Sequence, residues 1–307
     1  MKRIAAIFLA CMLFGGCWPA LAQSTPDPYT LRWYYNPDGG LYAHMDPNCA
    51  SVNAKYLPLQ PLPDEMRKKI SAPCASCAQQ AKPVFTVSGG SKNMPNLQID
   101  VYATTLKVPQ WPDEKVYRIH ITDRDQPSRV FSELLFPSTE DGNGPVPLVT
   151  LEDLNFDGYP DLTALRSRGA SNVFGTHFLY SPADGQYHHE PVLDNLSIYT
   201  LYPEQKLISN FIHDSAATSI RELYRIGEDG RPMLYRRVSI LYDEQSNWEK
   251  IRIKVTSYDA AGTETVLLDE VRAPFKDEAD YRESEQKWLR LFYEGIPEDV
   301  IRSDLGQ

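Results

Sequence analysis

The run Asp153-Leu154-Asn155-Phe156-Asp157-Gly158-Tyr159-Pro160-Asp161 places side-chain oxygens at its first, third, fifth and ninth positions and glycine at its sixth. That spacing matches the first part of an EF-hand-type calcium loop. Alternate residues of a tightly turning loop point inward, and the hard Ca²⁺ ion takes roughly six to eight oxygens. Gly158 permits the positive φ of the turn, and Tyr159 would offer its backbone carbonyl. The glutamate expected at the twelfth position is replaced by Ala164, so a last ligand must come from elsewhere or from water. The sequence thus predicts Ca²⁺ held by Asp153, Asn155, Asp157, Tyr159 and Asp161. The competing reading is an acidic β-turn without a metal, in which the clustered carboxylates repel one another. The role expected of the ion is structural, the stiffening of a hairpin, because no base or electrophile stands beside it.

A second constellation comprises His44, Cys49 and the pair Cys74-Ala75-Ser76-Cys77. One imidazole and three thiolates suit tetrahedral Zn²⁺. Three readings stay open: a structural zinc site on His44, Cys49, Cys74 and Cys77; a disulfide from Cys49 to Cys74 or Cys77; and a redox CxxC, which lacks its usual βαβ context. The remaining histidines carry less. His188-His189 reads as a surface pair, His120 lies on a polar strand face, and His177 and His213 read as ordinary packing. Asp214-Ser215 beside His213 has no G-x-S-x-G elbow to support a triad. With 41 acidic residues, chance carboxylate pairs are inevitable, and no catalytic residue is assigned.

These groups sit in a chain of 307 residues with a formal charge of −10. Lys2 and Arg3, the apolar stretch 4–15 and Ala20-Leu21-Ala22 form a secretory signal peptide over 1–22. A lipid anchor at Cys17 is the alternative. Cleavage leaves 285 residues and, with Lys2 and Arg3 gone, a charge of −12. So acidic a chain is a poor partner for nucleic acid or anionic lipid. No later stretch is apolar enough to span a bilayer, and the expected location is periplasmic or secreted. Three cysteines remain, and an odd count in an exported protein points to a free thiol, an intermolecular bond or a metal.

The elements that must position these residues are mostly strands. Leu97, Ile99 and Val101 alternate with polar residues, as do Tyr117, Ile119 and Ile121, and Ile251, Ile253 and Val255. Further strands are expected at 129–136, 146–151, 161–166, 175–181, 207–212, 219–226 and 234–242. Turns at Asp141-Gly142, Asp157-Gly158, Asp184-Gly185, Asp229-Gly230 and Ala261-Gly262 separate them. Helices are expected over 63–71 and 280–293, the second on the spacing of Trp288, Leu291 and Phe292. The fold class is therefore mainly β, with an antiparallel propeller-like or sandwich-like body. It divides into a small Cys/His module at 23–82, a linker at 83–95, a calcium-loop β domain at 96–275 and a C-terminal helical segment at 276–307.

The acidic loop, the following Arg168-Gly169-Ala170-Ser171-Asn172, and Phe178-Leu179-Tyr180 with Gly185-Gln186-Tyr187 resemble a family of exported bacterial propeller-like β proteins. That family is similar to I-type lysozyme inhibitors, and some members are periplasmic immunity proteins against cell-wall-degrading effectors. The match is most specific over 146–195; the loop alone also resembles FG-GAP and VCBS repeats. The resemblance implies a protein inhibitor of a muramidase or secreted effector, with residues 168–172 as a presenting loop; the plain alternative for that turn is a hairpin connection. His44 and Cys49 with the CxxC resemble a short module found at the ends of some exported nucleases and metallo-β-lactamase-like proteins. Two other readings are an envelope glycan hydrolase and an envelope scaffold or adhesion-like module.

Overall fold

The computed structural model describes residues 27–306 apart from 41, 68, 71, 75, 77–81, 214, 216 and 217. The signal peptide, the alternative anchor Cys17, and Cys77 therefore lie outside the described residues. The chain begins with short elements: β1 (Tyr34–Tyr35), β2 (Tyr42–Ala43), β3 (Gln60–Pro61), α1 (Asp64–Arg67) and β4 (Ala72–Pro73). β1 pairs with β3 antiparallel, and β2 pairs with β4 in parallel.

Three successive meanders follow. The first holds β5 (Phe85–Ser91), β6 (Met94–Ala103), β7 (Val116–Asp123) and β8 (Val130–Pro137). The second holds β9 (Val149–Glu152), β10 (Asp161–Arg168), β11 (Val173–Ser181) and β12 (Gln186–His189). The third is a six-stranded sheet of β13 (Ile198–Tyr202), β14 (Leu207–His213), β15 (Ser219–Ile226), β16 (Pro232–Tyr242), β17 (Ile251–Tyr258) and β18 (Glu264–Arg272). In each sheet the strands lie in sequence order and pair antiparallel. The molecule is mainly β, as the alternation predicts. All five expected turn glycines adopt positive φ, from 71° at Gly185 to 87° at Gly158.

The alternating residues fill the core. Leu97, Ile99, Val101, Tyr117, Ile119 and Ile121 from the first sheet meet Leu162, Ala164, Phe178 and Tyr180 from the second. Each of the Leu, Ile, Val and Phe side chains contributes about 1.5–3 kcal/mol on leaving water. Leu154, Leu193 and Leu196 pack against Ile208, Tyr224 and Ile226 of the third sheet. Leu223, Val238, Ile251, Ile253 and Val255 of that sheet are covered by Trp288 and Phe292 of α2 (Glu278–Phe292) and Val300 of α3 (Glu298–Asp304).

Three features differ from expectation. The Gly- and Pro-rich stretch at 83–95 carries β5 rather than a linker. Gly89 fits there because a Cβ would fall 2.6 Å from Leu151 Cδ1. The C-terminal segment holds two helices, with Gly295 at φ 77° between them. α2 starts two residues earlier than its apolar spacing suggests, because Asp277 caps it by accepting from the Asp280 N–H at 2.9 Å. The N-terminal segment is also built onto the body: Leu31 N donates to Glu133 O at 3.1 Å, and Leu135 N to Tyr29 O at 2.7 Å. Trp33 Nε1 reinforces this by donating to Glu133 Oε2 at 2.7 Å. Among the described residues no helix is long and apolar enough to cross a membrane.

Candidate metal centre and acidic loop

The parallel pairing of β2 with β4 sets Ala43 opposite Pro73, and Cys74 N donates to Ala43 O at 2.7 Å. His44 and Cys74, the residues that follow the two strands, are thereby brought together. Cys49 arrives through a tight turn in which Asn48 N donates to Asp46 Oδ1 at 2.7 Å and Cys49 N to Asp46 O at 3.2 Å. One ligand atom each from His44, Cys49 and Cys74 lies within 4.8 Å of the others, and all three residues are buried.

The two sulfurs are 3.9 Å apart, so they are not bonded; a disulfide closes at about 2.05 Å. Ser51 Oγ lies 3.0 Å from Cys49 Sγ and 3.1 Å from Cys74 Sγ, positioned to donate to a thiolate. Burial pushes the His44 imidazole below its ordinary pKa, which favours the neutral form that a metal requires. Two thiols and a neutral imidazole, buried and convergent, fit Zn²⁺ in donor type. Ser51 is the member of this cluster that composition alone does not single out.

The acidic loop joins β9 to β10. Asp153 accepts from Asp157 N at 3.1 Å and Gly158 N at 2.9 Å, and Asp157 accepts from Tyr159 N at 2.9 Å and Asn155 Nδ2 at 3.1 Å. Phe156 and Gly158 take positive φ. The turn is pinned to the β5–β6 hairpin by Ser91 Oγ and Asn93 Nδ2, both donating to Gly158 O. A Cβ on Gly158 would meet that Asn93 amide at 2.7 Å. Asp161 is fully buried. Its carboxylate accepts from Leu154 N at 2.8 Å, Asn155 N at 3.3 Å and Tyr180 N at 2.9 Å. Burial pushes it up to about 8, opposed by those backbone N–H groups.

The loop oxygens are of the type calcium prefers. Their arrangement serves the backbone more than a common centre. Among the described residues, His44, Cys49 and Cys74 form the His, Cys, Asp or Glu trio that converges within 4.8 Å, and the three loop aspartates do not.

The turn after β10 runs from Gly169 to Asn172, with Gly169 N donating to Asn172 O at 2.8 Å. Ala170 and Ser171 are exposed. Arg168 lies 3.7 Å from Glu140. Asn172 faces inward: its amide donates to His213 O at 2.9 Å and accepts from His213 N at 3.0 Å, which ties the turn to the third sheet. The histidines also differ in setting. His188 pairs with Asp184 at the surface, whereas the His189 ring lies 3.8 Å from that of Tyr29 in a tilted contact and is hydrogen-bonded to Asp194 at 2.8 Å. His177 is buried with neither ring nitrogen hydrogen-bonded.

No protein-family model, curated protein or solved structure matches this chain.

Proposed function

We propose that the chain is an exported binding protein, a periplasmic inhibitor or immunity protein directed at a lysozyme-like cell-wall hydrolase. In this reading Zn²⁺ staples the N-terminal segment through His44, Cys49 and Cys74, with Cys77, outside the described residues, as the fourth ligand, and Ca²⁺ stiffens the loop through Asp153, Asn155, Asp157, the Tyr159 carbonyl and Asp161. Asp161 also holds the loop backbone, accepting from the N–H groups of Leu154, Asn155 and Tyr180.

The observation that carries the binding reading is an acidic seam. β5 and β9 are edge strands of different sheets. An open groove of about 610 Å³ runs between them, and its charged lining residues are Glu152 and Asp153. Glu152 carries the groove's charge toward a partner, since Ca²⁺ would offset Asp153; with a formal chain charge of −10, the groove suits a basic protein surface, because opposite charge speeds encounter and fixes register. Three meanders, each paired in sequence order, support a propeller-like body. The test is direct: purified protein mixed with lysozyme-type muramidases should slow lysis of a cell-wall suspension and co-elute with the enzyme. No slowing and no complex with any such enzyme overturns the reading.

A further inference from the structure

A second cavity, of about 480 Å³, opens between the N-terminal segment and the loop before β7. Its size lies in the range of small-molecule sites, roughly 300–1,000 Å³. Leu31, Met45, Val108 and Leu135, all buried members of one apolar cluster, line it. Arg32 and Lys107 also line it, and both are exposed.

The charges at this cavity are unequal in their commitments. Neither Arg32 nor Lys107 makes an ion pair with a described residue, although other cations of this acidic chain do, as Arg118 does with Glu133 and Arg237 with Glu222. The two carboxylates in the lining are already engaged. Asp27 accepts from Tyr29 N at 3.0 Å and Thr30 Oγ1 at 2.9 Å. Asp46 accepts from Asn48 N, within the turn that delivers Cys49. The wall thus offers an apolar surface with two cations that have no ion-pair partner among the described residues, beside two carboxylates turned to their own turns.

We infer that this cavity binds a small monocarboxylate with an apolar body, the body against Leu31, Val108 and Leu135 and the carboxylate toward Arg32 and Lys107. Charge-assisted hydrogen bonds to a carboxylate suit both side chains, and the guanidinium favours a bidentate fit. The inference goes beyond the inhibitor reading and does not depend on it. It touches the zinc reading at one point: Met45, Asp46, Pro47 and Asn48, which form one wall, are bracketed by His44 and Cys49. Metal at that centre would hold the wall in place.

Decanoate and N-acetyl-leucine, titrated calorimetrically into the full chain, test the inference, with 1-decanol as the neutral control. Both carboxylates should bind, and 1-decanol should bind more weakly by roughly tenfold or more. The double variant Arg32→Gln/Lys107→Gln, at exposed positions, should lose a similar factor, and Arg32→Lys/Lys107→Arg should keep most of the affinity. Preference for N-acetyl-leucine over decanoate would assign the site to peptide-like acids, and the reverse to fatty acids. Failure of both carboxylates to bind in the millimolar range overturns the inference, as does equal binding of 1-decanol or an unaffected double Gln variant. Repeating the titration after chelation reads the zinc link separately: weaker binding by chelated protein supports it, and unchanged binding removes that link while leaving the site.

Discussion

The sulfur of Cys49 lies 3.9 Å from that of Cys74, with the Ser51 hydroxyl within 3.1 Å of both. The separation is too long for a covalent bond and suits two thiolates on one cation, the expected donor type for Zn²⁺. The proposed staple would accordingly have two chemically distinct states, metal-bound or disulfide-closed. The reduced protein should carry one zinc per chain in native mass spectrometry. Cys49→Ala should lose that zinc and lower the Tm by roughly 3 °C, the equivalent of about 2 kcal/mol at this chain length. A metal-free chain two mass units lighter than the reduced form would show the disulfide in its place.

Glu222 sets up a different kind of prediction. Its carboxylate is 1% exposed and accepts from Arg237 at 2.6 Å, Tyr224 Oη at 2.7 Å and Asn210 Nδ2 at 2.9 Å. Removing Glu222 leaves the buried Tyr224 hydroxyl and Asn210 amide without their acceptor and the partly exposed Arg237 without its partner, at a cost of about 1–3 kcal/mol for an unmet buried polar group. Glu222→Ala should therefore lower the urea midpoint sharply. Glu222→Ala/Arg237→Met, which removes both charges, should recover only the part of the loss that comes from Arg237.

The strands of the body were legible where one face is buried. Leu97, Ile99 and Val101 alternate because every second side chain enters the core. β18 was not legible: it is an edge strand whose Val266 and Val271 remain exposed, so no face imposes a pattern. β5 was masked by Gly89 and Gly90, residues that usually mark loops; here Gly89 admits Leu151 of the neighbouring sheet and Gly90 lies against the Pro95 carbonyl. At the metal centre, residue type and spacing announced His44, Cys49 and Cys74. The pairing that joins His44 to Cys74 is a two-residue parallel bridge, too short to leave a periodic signal. The cavity between Arg32 and Lys107 had no signal, because it arises from tertiary docking of segments far apart in the chain.

His177 should make stability fall in mild acid. Burial lowers its pKa to about 4; nearby Asp194 opposes this, while His189 and Arg166 add to it. The unfolded imidazole titrates near 6.5, so its folded pKa is the lower one. Stability from this group is fully present above about 6.5 and is lost as pH falls toward 4. The total is at most about 3 kcal/mol. Unfolding midpoints measured between pH 7 and pH 4 should show the decline, and His177→Leu should flatten its contribution. An equal slope in that variant would place the acid sensitivity elsewhere.

The acidic loop separates metal from mere hydrogen bonding. Its oxygens already accept from the N–H groups of Asp157, Gly158 and Tyr159, so the loop can close without an ion. Calcium would add stability by mass action, about 2.7 kcal/mol at a hundredfold excess over Kd. Calorimetric melts with 1 mM Ca²⁺ should exceed those with EGTA, and Asp157→Ala should abolish the difference. Identical melts would leave a hydrogen-bonded turn and no calcium.

The groove between β5 and β9 makes the last prediction the most specific to function. Glu152 lines it and accepts from Tyr199 Oη at 2.8 Å. Glu152→Gln keeps an oxygen for that hydrogen bond and removes only the charge. If a basic hydrolase docks along this seam, the variant should associate more slowly by roughly threefold to tenfold at low ionic strength. The difference should shrink at 0.5 M salt, where screening extends over only a few ångströms. Slower association that persists in high salt would point to altered packing around Tyr199. Unchanged association at low salt would move the docking surface away from this groove.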